Sequence, residues 1–270
     1  MGNIWRLINS GGNHGFYNMA IDEAISIACR NGVVSPTLRF YTWSPPTISI
    51  GYFQEHESLS DNYSFIPDNT PVVRRITGGR AILHGNDLSY SIVCPTANRL
   101  FPDNLKGAYS IVTKALISGL AYLDITPDPI LTLQKTSGNK HWRIKVDPSI
   151  KAAPYHHSKL CFDTVLGHEI TVNGKKLMGS AQRRWTELFL QHGSILIDGR
   201  QNHNGPASIS LNELSRTPLD IKEIISALCA GFQNILGITL IEGHLTGYEV
   251  ELAENLVSWK YSKDSWNKRL

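Results

Sequence analysis

Cysteine is scarce in this sequence, and the four present, Cys29, Cys94, Cys161 and Cys229, lie far apart with no C-x-x-C pair among them. That spacing argues against a zinc site and against a disulfide framework, so no metal is expected. A reduced, cytoplasmic setting is the expectation. Long apolar runs are also missing. Nowhere do about eighteen apolar residues stand together, so no membrane span is expected. The opening MGNIWRLINS lacks a basic stretch followed by an apolar one, and Arg6 stands where a myristoylation signal needs Ser or Thr. Basic runs are absent as well. The 26 Lys and Arg against 23 Asp and Glu leave a net charge of +3 scattered over the chain. No nucleic-acid partner is expected, and the slight excess leans toward acidic partners. With no internal repeat and no low-complexity linker, residues 1–270 read as a single domain.

What is present is a mixed pattern of helices and short strands. Apolar spacing predicts a helix over residues 16–30, stopped at Asn31-Gly32, and a central helix over 104–123. Two more helices are expected over 219–236 and 250–261. Strands are expected over 37–43, 47–53, 72–76, 81–84 and 88–94. The pair Asn173-Gly174 signals a hairpin between strands at 168–172 and 175–180. Residues 187–198 supply a further strand or a bent pair, and 238–242 a short strand. The polar stretch 132–158 reads as a long loop or insertion. The fold class is α+β, a central mixed or antiparallel β-sheet flanked by helices.

Three segments offer chemistry. In Arg74-Arg75-Ile76-Thr77-Gly78-Gly79-Arg80 the glycines let backbone approach a ligand, and the arginines suit a phosphate or carboxylate. Taken singly, a Gly-Gly after a strand is usually a turn, and the nearby His84 is more often a hydrogen-bonded structural residue than a catalyst. Cys161 sits between a polar loop and a strand; a thiolate is the natural nucleophile for thioester exchange, and a nearby cation would lower its pKa. Cys29, Cys94 and Cys229 fit inert packing positions instead. Lys176, followed by Leu177-Met178-Gly179-Ser180-Ala181-Gln182, fits a crowded pocket floor, although an exposed hairpin lysine is the commoner case. Gln191-His192-Gly193-Ser194 offers a polar rim.

In order along the chain, several motifs resemble the lipoate ligase and biotin ligase-like (BPL/LPL) family. They are Trp5-Arg6-Leu7, Asn18-Met19-Ala20-Ile21-Asp22-Glu23, Trp43-Ser44-Pro45-Pro46, Gly51-Tyr52-Phe53-Gln54, Arg74 through His84, Leu88-Ser89-Tyr90-Ser91, Cys161-Phe162, Lys176 through Gln182, and Gln191 through Ser194. Within that family the set is similar to the cysteine-dependent, LipM-type octanoyltransferase branch. The resemblance implies a biotin/lipoate ligase-like catalytic domain that moves an octanoyl group from octanoyl-acyl carrier protein to the glycine-cleavage H protein or the lipoyl domains of 2-oxoacid dehydrogenases. It implies Cys161 as acyl-accepting nucleophile and Lys176 as its activating lysine. Arg75, Thr77, Gly78, Gly79 and His84 would line the acyl and carrier-arm site. No cofactor is implied, since a thioester is already activated. ATP-dependent lipoate ligases usually carry a third glycine where Arg80 stands, and many need an extra C-terminal domain, which 270 residues with these motifs do not leave room for. The family commonly follows Cys-Phe with Pro-Ser; this chain has Asp163-Thr164. Other readings of the same motifs are an ATP-dependent ligase, an amidotransferase between lipoyl domains, and a non-catalytic binder of carrier or lipoyl proteins.

Overall fold

A strand that the apolar pattern does not announce opens the fold. In β1 (Asn3–Asn13) the buried positions are Trp5 and Ile8, three apart, and the register against its neighbour shifts between Asn9 and Gly12. A bulge of this kind breaks the two-residue alternation by which a strand is read. The computed structural model describes residues 3–56, 69–128, 169–199 and 208–269, with the backbone of two short strands between residues 129 and 168. After β1 come α1 (Gly15–Arg30), β2 (Thr37–Trp43), β3 (Thr47–Ile50), β4 (Val72–Arg74), β5 (Ile82–His84), β6 (Asp87–Pro95) and α2 (Leu105–Ala121). Then follow β7 (Leu133–Lys135), β8 (Trp142–Ile144), β9 (Ile170–Val172), β10 (Lys175–Arg184) and β11 (Leu188–Leu196). The remainder is α3 (Leu211–Leu214), α4 (Ile221–Leu236), β12 (Ile238–Glu242), α5 (Gly247–Leu256), a π-helical turn over Val257–Tyr261, and α6 (Asp264–Asn267).

Seven strands form one mixed sheet in the order β12-β1-β2-β6-β11-β10-β9. β1 runs parallel to both its neighbours, and the other pairs are antiparallel. The expected hairpin lies at its edge, with Asn173 and Gly174 both at positive φ in the turn. A second sheet, β4-β3-β5, and the antiparallel pair β7-β8 complete the topology. The β7-β8 pair falls in the stretch expected as a long loop or insertion; the rest of residues 132–158 lies outside the described residues. Among the described residues no helix is long and apolar enough to cross a membrane.

Alternation along the central strands gives the sheet two faces. Leu88, Tyr90, Ile92 and Cys94 of β6 join the core under α2 and α4. Val93 joins the core under α1 and α5, and Ser89 and Ser91 point to that same side. The α1 face therefore carries a polar belt through an otherwise apolar layer. The expected strand over 47–53 stops at Ile50 because Gly51 lies against the 78–79 turn: a Cβ there would sit 1.9 Å from the Gly79 carbonyl oxygen. The expected final helix begins earlier, at Gly247, where Thr246 and Glu249 form a capping box that is visible in the sequence.

Arg74 at the end of β4 ties the second sheet to residues 266–269. Its buried guanidinium donates to the carbonyls of Gly51, Tyr52, Gln54, Trp266, Asn267 and Arg269. Asn267 Oδ1 accepts from the Arg74 backbone N–H, and Trp266 Nε1 donates to its carbonyl.

On the other face α2 and α4 cross with almost no separation. A Cβ on Gly231 would lie 2.3 Å from Gly119 N and 2.4 Å from Ala115 O. Gly231→Ala gains helix propensity of about 1 kcal/mol, but overpacking costs about 1–3 kcal/mol. Because the opposing atoms are backbone, the variant is expected to have a lower urea midpoint. An unchanged or raised midpoint would show that this crossing is loose.

Candidate functional site

Two buried carboxylates organise the polar belt. Asp22, on α1, accepts from Arg39 Nη1 at 2.7 Å, from Ser91 Oγ at 2.8 Å and from Tyr41 OH at 3.2 Å. It also pairs with His192 Nδ1 at 3.1 Å. Asp87, at the start of β6, pairs with His84 Nδ1 at 2.7 Å and accepts from Ser194 Oγ, Ser89 Oγ and the Gly85 N–H. Burial alone would raise both carboxyls. For Asp22 the Arg39 charge and the His192 and Ser91 hydrogen bonds outweigh it, and for Asp87 His84, Ser194 and Gly85 do, so both lie below the usual carboxylate value.

Ionised carboxylates only accept, so each imidazole presents Nδ1–H to its aspartate. The far nitrogen of each ring then meets a hydroxyl: His192 Nε2 lies 2.6 Å from Thr77 Oγ1, and His84 Nε2 lies 2.7 Å from Ser49 Oγ. Two Asp–His–hydroxyl relays are thus formed, one ending at Thr77 and the other at Ser49 on β3, whose hydroxyl also accepts from Arg75. Trp43 stacks on His84 at 3.9 Å between centroids and donates its indole N–H to Ser89 Oγ.

Arg75 spends its guanidinium on local closure. Nη1 donates to Ser49 O and Oγ, both at 2.7 Å, and Nη2 to the carbonyls of Gly78 and Arg80. Gly79 sits at φ +94°, a conformation that explains the glycine there. Between this turn and the β10–β11 pair lies a cavity of about 30 Å³, lined by Met19, Trp43, Arg75, Gly79, His84 and His192 among others.

Of the residues expected at the site, Arg75, Gly79 and His84 line this cavity, and Thr77 joins through His192. Gly78 is placed in the same turn by its carbonyl bond to Arg75. Lys176 stands off the cavity on β10. Its side chain is 0% exposed and ion-paired with Glu169, so it is not the exposed hairpin lysine that is common at such positions. Cys161 lies outside the described residues. The other three thiols are poor nucleophiles, since burial pushes Cys29 up to about 11, Cys229 up to about 12 and Cys94 well above its ordinary value. The residues at 191–194 do not form one rim. Gln191 points to the α2 face, bonding Gln182 and Tyr90, whereas His192 and Ser194 point to the cavity.

Asp22, Asp87 and Ser49 did not emerge from sequence reading as site residues. Asp22 stood in a quoted motif, yet an acid inside an apolar helix pattern reveals its role only once strands from elsewhere supply its partners.

The architecture is an α+β domain with a mixed sheet flanked by helices, and the comparisons place it among the lipoate ligase-like domains. Residues 14–233 match the model for the lipoyl protein ligase A/B catalytic domain, and the chain belongs to that family. It is similar over nearly its whole length to proteins named Octanoyltransferase LipM. That of Symbiobacterium thermophilum is 38% identical and that of Kyrpidia tusciae 36%, each with 98% of both chains covered. That of Clostridioides difficile is 35% identical, with 99% of both covered. Among solved structures it resembles protein Ta0514 of T. acidophilum, with TM-score 0.76, 25% identity and full coverage of both chains. It also shares the fold of a lipoate-protein ligase A bound with ATP, with TM-score 0.72, 22% identity and 99% of both covered.

Burial lowers the His192 pKa, with Asp22 opposing it and Arg75 adding to it. The unfolded chain therefore takes up this proton first. Its contribution to stability is complete above the ordinary histidine value of about 6.5 and is lost as pH falls from there toward the folded value. The two aspartates add a separate loss below their ordinary value of 3.8, as pH falls through their depressed folded values. Urea titrations should show the wild type losing more stability between pH 7.5 and 5.5 than His192→Gln. Parallel losses in the two proteins would remove His192 from the pH response.

Proposed function

We propose that this protein is an octanoyltransferase of lipoate biosynthesis. It takes the acyl group from an octanoyl-acyl carrier protein and delivers it to a lysine of the glycine-cleavage H protein or of a 2-oxoacid dehydrogenase lipoyl domain. It acts as one catalytic domain, through an acyl thioester on Cys161. The observation that carries this reading is the full-length likeness to three proteins bearing the octanoyltransferase name. The burial of Lys176 and its ion pair with Glu169 support it, because they fit the enclosed pocket lysine that the reading requires. The raised thiols of the other three cysteines leave no competing thiolate among the described residues.

The steps follow from the bonds involved. The Cys161 thiolate adds to the thioester carbonyl carbon, the carbon–sulfur bond to the carrier breaks, and the carrier thiolate leaves. The neutral amine of the acceptor lysine then adds to the acyl-cysteine carbonyl. Its proton is lost, the amide forms, and the Cys161 thiolate is released. Lys176 favours the thiolate in both steps. Arg75, Thr77, Gly78, Gly79 and His84 form the wall against which the acyl chain and carrier arm rest. The existing thioester supplies the activation, so adenylation is not part of the scheme.

Octanoyl carrier protein alone should add one octanoyl mass to the protein, located on Cys161 by peptide mapping and discharged by an apo lipoyl domain. Cys161→Ala should lose roughly 10⁴-fold or more of the transfer rate. Free octanoate with ATP should modify nothing; efficient modification by that pair, with no reaction of the carrier thioester, would replace this reading by an ATP-dependent ligase.

A test of Lys176 follows separately. Lys176→Met removes the cation and leaves Glu169 without that partner. The iodoacetamide labelling curve of Cys161 should move to higher pH and acylation should slow. Superimposable labelling curves would deny Lys176 an activating role.

A further inference from the structure

Beside the cavity, cations and aromatic rings alternate in an unbroken series. The Arg183 guanidinium lies 4.8 Å from the centroid of the Trp185 ring and 5.2 Å from that of Tyr52. Arg269 lies between Tyr52 at 4.1 Å and Trp266 at 3.8 Å. Lys260 follows, 4.1 Å from Trp266 and 5.1 Å from Tyr261. This ladder abuts the site loop directly: Arg183 Nη1 donates to Ile76 O and the Tyr52 N–H to Thr77 O. Arg80, which lines the cavity mouth, extends the positive charge toward it.

The charges of this face are poorly balanced. Glu23 takes Lys260, and Asp264 takes Lys268. Among the described residues no carboxylate is ion-paired with Arg80, Arg183 or Arg269, and buried nitrogens of Arg80 and Arg269 have no hydrogen-bond acceptor. Stacking on aromatic faces holds guanidinium groups in place without neutralising them. At the border of the ladder Phe53 is 79% exposed, packed edge-on against Tyr52. Leaving a phenylalanine ring in water next to fixed, unneutralised cations has no benefit to the isolated fold. It has the composition of an interface centre, an aromatic anchor with arginine around it.

We infer that Phe53, Tyr52, Arg183 and Arg269 form the docking surface for an acidic protein, the carrier that presents the acyl thioester. This rests on the transferase reading above. Charge complementarity calls for a protein with a negative surface, and of the two protein substrates only the carrier brings a tethered thioester, which would enter beside Arg80. The surface lies next to the cavity, so docking and delivery are one geometric event. A small thioester lacking the protein would reach the cavity without touching Phe53 or Arg183.

The test compares octanoyl carrier protein with the octanoyl thioester of N-acetylcysteamine as acyl donors. Phe53→Ala removes an exposed ring and cannot open a core. Arg183→Glu reverses one charge, and its thermal melt reports whether its link to Ile76 O was needed for folding. Each variant should raise KM for the carrier about tenfold, leave the kinetics of the small thioester unchanged, and, for Arg183→Glu, flatten the salt dependence of carrier KM. Unchanged carrier kinetics in Phe53→Ala and a folded Arg183→Glu would overturn the proposal. So would an equal loss with both donors, which would place these residues at the acyl site. Should the wild type transfer from neither donor, the transferase reading fails, and binding of fluorescent carrier decides the docking surface by itself. Salt-sensitive binding weakened by Phe53→Ala then supports it, and no binding overturns it.

Discussion

The carboxylate of Asp22 is the point on which the α1 face of this molecule turns. It is buried at 1% exposure and is held ionised by groups drawn from β2, β6 and β11. Removing a carboxylate from water costs several kcal/mol, and only convergent donors offset it. The helix, three strands and the site loop must therefore be in register before the charge is satisfied. A misplaced β11 would strand His192 and Asp22 together, which makes the network a check on strand pairing as much as a source of stability. Through His192 and Thr77 the same carboxylate fixes the turn that forms one wall of the cavity.

Asp87 repeats the device on the same face of the sheet with different parts. Its imidazole comes from β5, so it secures the small sheet to the large one, whereas Asp22 secures the large sheet to α1. Ser49 is shared between His84 and Arg75, and this links the second relay to the arginine that closes the glycine turn. The cavity is therefore framed by two hydrogen-bonded polar walls with the glycine turn between them.

Much of the fold was legible because periodicity and turn chemistry agreed. The helices over Gly15–Arg30 and Ile221–Leu236 and the Asn173-Gly174 hairpin fall where their spacing puts them. β1 was not legible, since its bulge erases alternation. The early start of α5 was legible in Thr246 and Glu249 and went unread. Near the cavity, the glycine turn and His84 could be singled out only through the motif Arg74 to His84 that resembles the family, since a Gly-Gly pair and a lone histidine are more often structural. The partners could not. Asp22 and His192 are 170 residues apart in the chain, and no local pattern records that a serine on β6 faces an aspartate on α1. Lys176 fits a crowded pocket floor by its small neighbours, against the commoner exposed hairpin lysine, and the neighbouring Glu169 and the bridge to Ser208 show it enclosed.

The grip of Arg74 on six carbonyls has a consequence for the order in which the molecule can be completed. Three of those carbonyls belong to residues 51–54 and three to residues 266–269. During synthesis β4 leaves the ribosome nearly two hundred residues before the second group of acceptors exists. Until then half of the guanidinium's acceptors are missing, and the loop beside the cavity is held from one side. The chain therefore cannot complete the bonds of Arg74 until residues 266–269 have emerged. Shortened products ending before them would carry every strand of the large sheet and still leave half of this guanidinium's acceptors missing.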